Sequence, residues 1–119
     1  MKKQIAVVFM GEFSMLRPDD PRLLVTSDLD TCMGIILSGP SGTVLIHDDA
    51  SFRVFEQNLS RVKNYFETRN ITFSQARLVF NIGLCAQFWN YISYYLLGVD
   101  EIGERVNCLS NYVDSVEKH

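Results

Sequence analysis

The sequence predicts an α+β domain: a central, mostly antiparallel sheet built on a hairpin that carries a cysteine and a histidine, covered by helices. Three observations lead there. Residues 32–37 and 43–47 are apolar runs on either side of Ser38-Gly39-Pro40-Ser41-Gly42, which has the make-up of a turn. In those runs Met33, Ile35 and Leu37 share a face with Val44 and Ile46, while Gly34, Ile36, Thr43 and Leu45 share the other with Cys32 and His47. Both faces are largely apolar, so the hairpin belongs at the centre of a sheet covered on each side. Further on, Phe55, Leu59, Val62 and Phe66 recur at 4-3-4 spacing, the stripe of an amphipathic helix.

The elements follow in order. Residues 4–10 are nearly continuously apolar and read as a buried first strand. Arg17-Pro18-Asp19-Asp20-Pro21-Arg22 is a loop, since two prolines and two aspartates do not sit in a ladder. Residues 23–26 form the second strand, and residues 27–31 lead to Cys32. Helix one starts near Ser51, a suitable N-cap, with Asp48 and Asp49 near the positive end of its dipole. Arg53, Gln57, Arg61 and Lys63 lie off its apolar stripe, and Asn70 ends it. A strand over residues 76–82 and a second helix over 86–97 come next, the helix stopped by Gly98. This second helix is dense in aromatics (Phe88, Trp89, Tyr91, Tyr94, Tyr95), which serve either as core packing or as a protein-contact face. Ile102, Val106, Leu109, Val113 and Val116 keep helical spacing and predict a third helix over 101–117.

Whether Cys32 and His47 meet depends on the parity of the loop. A two-residue loop at Gly39–Pro40 sets them directly opposite, with Cβ atoms ~5 Å apart; one at Pro40–Ser41 sets them diagonally, ~7–8 Å apart, with Gly34 opposite His47. A three-residue loop separates them. A thiol beside an imidazole is the minimum equipment of a cysteine nucleophile, because the thiolate attacks and the neighbouring imidazolium stabilises it. The plain alternative is a buried cysteine and a satisfied histidine at a strand end.

The first fifty residues resemble the chemotaxis receptor glutamine deamidases (CheD-like proteins). The likeness is carried by Gly11-Glu12-Phe13, Val25-Thr26, Thr31-Cys32 and Leu45-Ile46-His47, and by the six-residue step from Thr26 to Cys32. Asp30-Thr31-Cys32 and His47-Asp48-Asp49 are similar to the corresponding stretches of N-terminal asparagine amidohydrolases, and the cytotoxic necrotizing factor toxins share the same deamidase fold. The resemblance implies a Cys32–His47–Thr26 triad, with Asp30, Thr31 and Gly34 around the oxyanion and the substrate. It implies a hydrolase that deamidates a protein Gln or Asn side chain through a thioester, without a cofactor. The family places strands rather than a helix in the last segment. Asp30 and Thr31 stand where the receptor deamidases favour Gly and Ser, and beyond residue 50 the likeness is one of element order. Two alternatives stay open: a catalytically silent binding module using the aromatic helix surface, and transglutaminase-like transfer to an amine.

Composition bounds the rest. With 119 residues, the chain is expected to form one domain over 1–119. A hydrophobic content of 47%, a charged content of 21% and a net charge of −3 suit a globular protein and argue against a nucleic-acid partner. No apolar run approaches the ~18–20 residues a membrane span needs. Lys2-Lys3 and the run behind them mimic a secretion signal, but Glu12 interrupts it and no small-residue cleavage site follows. A cytoplasmic location is expected, or that of a bacterial effector delivered without a cleavable signal. Three widely spaced cysteines make neither a disulfide framework nor a zinc site. His47-Asp48-Asp49 lacks further converging ligands, since the other histidine is His119, so no metal is expected. The glycine-rich turn lacks the lysine and following helix of a phosphate loop. Cys85 and Cys108 sit in apolar settings and are expected to be inert, unless Cys85 lines the site.

Overall fold

The computed structural model describes residues 4–9, 11–26, 33–48, 52–80 and 101–118. Its centre is the expected hairpin: β4 (Met33–Gly39) pairs antiparallel with β5 (Gly42–Asp48), and the loop is Pro40–Ser41. Of the two same-face registers this is the diagonal one, with Gly34 opposite His47. Glycine is needed at the exit of the turn. Gly42 has φ +140°, and a Cβ there would run into the Leu16 carbonyl oxygen.

Three further strands complete a five-stranded sheet in the order β2-β5-β4-β6-β7, here using β2 (Phe13–Leu16), β6 (Gln75–Phe80) and β7 (Ser115–Lys118). The first three pairings are antiparallel and β6–β7 is parallel. A separate two-stranded parallel sheet joins β1 (Ile5–Val7) to β3 (Leu23–Val25). With α1 (Phe52–Glu67) and α2 (Glu101–Ser110) the architecture is α+β and mostly antiparallel. Among the described residues, no helix is long and apolar enough to cross a membrane.

The core lies between the sheet and the two helices. Ile35, Leu37, Val44, Ile46, Ala76 and Leu78 pack against Phe55, Val62 and Phe66 of α1 and Leu109 of α2. Phe66 sits at the hub, meeting Phe13, Tyr65 and Phe73 edge to face with centroids 5.0–5.9 Å apart. The predicted stripe is therefore the buried one, and Gln57, Arg61 and Lys63 are exposed. Helix α1 stops in a Schellman motif: Asn70 turns left-handed (φ 56°), its N–H donates to the Glu67 carbonyl, and the Ile71 N–H donates to that of Phe66.

Three expectations are corrected. Directly after Gly11 and Glu12 the chain forms strand β2, where the sequence predicts no element; Phe13 and Met15 join the core while Ser14 and Leu16 face the other way. The first strand is not buried: Ile5, Val7 and Phe9 are exposed, and among its described residues only Val8 is enclosed. The segment 101–117 is not one helix. Residues 111–114 turn, and β7 adds to the edge of β6, where Glu117 meets Arg77 and Gln75. The helical spacing of Val113 and Val116 is fortuitous, because an open strand edge offers the chain a complete ladder that a lone last helical turn does not. Asp48, expected near the start of α1, has a partner on the other helix. Its carboxylate pairs with Arg105 of α2 at 2.6 Å, both side chains being almost fully enclosed. The expected helix over 86–97, the last two residues of the expected strand over 76–82, Asp49 and the Ser51 cap lie outside the described residues, as do Asp30, Thr31, Cys32 and Cys85.

Candidate active site

His47 occupies the next-to-last position of β5, on the sheet face opposite α1 and α2, since its neighbours Ile46 and Asp48 point to the helices. The strand end is clamped by its backbone. The His47 N–H donates to the Glu12 carbonyl at 3.0 Å, and the His47 carbonyl accepts the Gly11 N–H at 2.9 Å. Gly11 can offer its N–H there because it turns at φ 79°. Glu12 secures the same turn, its carboxylate accepting the Phe9 N–H at 3.1 Å. Gly11-Glu12-Phe13 thus acquires a local meaning: turn, brace and core anchor.

The imidazole is 3% exposed and bonded on one side. Its Nδ1 lies 2.7 Å from the hydroxyl oxygen of Thr26, the residue that follows β3. That hydroxyl is also 2.7 Å from the Val8 carbonyl, to which it donates. A threonine hydroxyl has one proton and it is given to Val8, so toward the ring the oxygen acts as acceptor. Nδ1 therefore carries hydrogen, and in the neutral ring the lone pair is on Nε2. Nε2 is buried and has no hydrogen-bond partner among the described residues. The network thus selects, for the neutral ring, the tautomer with hydrogen on Nδ1.

Thr26 reaches the ring from outside the five-stranded sheet. From the sequence, a strand over 23–26 would have to pair beside the 43–47 arm or cross its end. In the structure β2 takes the place beside β5, and Thr26 comes from the two-stranded sheet. Val8, whose carbonyl orients the threonine, is not legible as a site residue in the sequence; its only signal is a position one residue past the apolar β1. Gly34, opposite His47, is buried and has no side chain to crowd the ring. Cys32, Thr31 and Asp30 lie outside the described residues, and Cys32 directly precedes Met33, the first residue of β4.

Two other candidates fall elsewhere. Asp48 is committed to Arg105 on the helix face, and among the described residues no three His, Cys, Asp or Glu side chains gather as a metal would require. Cys108 lines a groove between α1 and α2 with Glu56, Leu59, Ser60, Lys63, Asn111 and Tyr112. Partial burial, then Glu56 and Glu104, push its thiol above the ordinary value, so it is a poor nucleophile at neutral pH. Compared with protein-family models, with curated proteins and with solved structures, the chain finds no match in any of the three.

Proposed function

We propose that the protein is a cysteine-dependent amidohydrolase that deamidates a protein Gln or Asn side chain. The observation that carries this reading is the 2.7 Å contact between Thr26 and His47 Nδ1, with the opposite nitrogen left as a base. Two residues that the resemblance pairs in one triad, 21 positions apart in sequence, are in hydrogen-bond contact.

In the proposed reaction His47 Nε2 takes the Cys32 thiol proton and the sulfur attacks the carboxamide carbon. Backbone N–H groups near Thr31 and Cys32 hold the oxyanion. The C–N bond breaks as Nε2–H protonates the leaving nitrogen, and ammonia departs. Water then gives a proton to Nε2 and attacks the thioester; the carboxylic acid leaves and the proton returns to sulfur. Thr26 and Val8 keep the ring in one tautomer throughout. Gly34 leaves room beside it for the carboxamide.

Iodoacetamide labelling at pH 6 with peptide mapping tests the nucleophile. Cys32 should react ahead of Cys85 and Cys108, and His47→Ala should remove that preference without unfolding the protein. Ammonia release and a +1 Da mass shift in a glutamine-containing protein test the reaction. Equal labelling of the three thiols in the native chain would leave a catalytically silent binding module as the better reading.

A further inference from the structure

The two-stranded sheet that holds the candidate site also carries an apolar face that the described structure does not use. Ile5, Val7, Leu23 and Val25 are neighbours by register, Ile5 beside Leu23 and Val7 beside Val25. Phe9 continues the row. Their exposures are 56, 47, 45, 38 and 67% respectively for Ile5, Val7, Leu23, Val25 and Phe9. Their alternating neighbours turn inward, and among these are Val8 and Thr26, which orient the imidazole of His47. One side of two short strands thus builds the site while the other is a hydrophobic surface that no described residue covers. A contiguous apolar patch of this kind marks an interaction surface rather than ordinary scatter.

We infer that this face is an exosite, where a protein substrate lays down an uncharged apolar segment away from the reacting carboxamide. The inference rests on the amidohydrolase reading for the word substrate. The occupant follows from charge and size. No residue of 4–9 or 23–26 is charged, and the adjoining cation among the described residues, Arg22, is neutralised by Asp20 at 2.8 Å; Lys2 and Lys3, which precede Gln4, lie outside the described residues. An acidic or basic segment has nothing to pair with among these residues. Five side chains fall far short of the roughly twenty to thirty residues a side that a stable dimer buries, so a second copy is a poor fit and a transient partner a good one. The strands are parallel, so their carboxyl ends lie together. The Phe9 and Val25 end of the patch is therefore the end that meets Thr26 and the site. Binding of a remote segment there is the usual way a weak carboxamide contact acquires specificity.

β-Casein, an unfolded glutamine-rich protein, serves as the protein probe, and carbobenzoxy-Gln-Gly as a substrate too small to reach the patch. β-Casein should shift the methyl NMR signals of Ile5, Val7, Leu23 and Val25. The double variant Val7→Glu/Phe9→Glu should raise its KM about tenfold while dipeptide turnover stays within twofold, a loss typical of one or two interface anchors. If the charged pair lowers the melting temperature, Val7→Ser/Phe9→Ser repeats the test with less disturbance. Turnover of the dipeptide without methyl shifts from β-casein would overturn the exosite and leave the enzyme reading standing. Methyl shifts without ammonia from either substrate would do the reverse. The exosite is also overturned if the patch is occupied by a second copy, seen as a dimer in sedimentation that the variant abolishes. Binding to phosphatidylcholine–phosphatidylglycerol vesicles in place of β-casein overturns it too.

Discussion

The two sheets of this molecule are made of the same residue types and treat them in opposite ways. In the five-stranded sheet Ile35, Leu37 and Val44 are 0–1% exposed. In the two-stranded sheet Ile5, Leu23 and Val7 are 45–56% exposed. Side-chain chemistry is equal, so the difference comes from the layers. The first sheet has α1 and α2 on one face, and burying each large aliphatic side chain there contributes ~1.5–3 kcal/mol. The second has only two strands, too few to be stable alone, and is held by its ladder and by polar bonds at one end. Those bonds, from Thr26 to Val8 and from His47 to Thr26, are the ones that orient the candidate base. The large sheet is a scaffold fixed by apolar burial, and the small one is a positioning device fixed by hydrogen bonds.

Substitutions that separate these roles differ widely in expected effect. Arg105→Met leaves the enclosed Asp48 carboxylate without its guanidinium partner, and should cost ~3–5 kcal/mol in urea unfolding. A loss below about 1 kcal/mol would mean the pair is not what ties α2 to β5. Leu37→Ala opens a cavity in the scaffold and should cost ~2–5 kcal/mol in the same measurement. Thr26→Val deletes both hydrogen bonds of its hydroxyl and should cost ~1–3 kcal/mol in the same measurement, and it should lower turnover by about one to three orders of magnitude, because a positioning contact is lost. Thr26→Ser keeps the hydroxyl and should stay close to wild type; equal activity in the valine variant would strip Thr26 of its role. For Cys108 the upward shift favours the thiol, so alkylation at pH 8 should be slower in the folded chain than in urea. It should climb with pH until the raised value is passed. The smallest effect belongs to Leu23→Ala, on the exposed face of the small sheet, where unfolding should move by no more than ~0.5 kcal/mol. A larger loss there would show that the face is covered in solution.

What sequence alone determined are the features written in neighbouring residues. The Ser38–Gly42 turn places the hairpin and narrows its loop to a few choices, of which the structure takes Pro40–Ser41. The 4-3-4 stripe selects the buried side of α1, and Asn70 ends that helix through its tolerance of positive φ. The pairing of Thr26 with His47 was reached through resemblance rather than pattern. Tertiary structure decided the rest. Phe13 to Leu16 becomes a strand because the free edge of β5 accepts it, and residues 115–118 become one because β6 does. Asp48 pairs with Arg105, 57 residues away. The run that starts at Ile5 is apolar enough to be core, yet half of it faces outward. Burial and partnership are set by which layers arrive from distant parts of the chain, and hydrophobicity along a strand carries no record of what will be packed upon it.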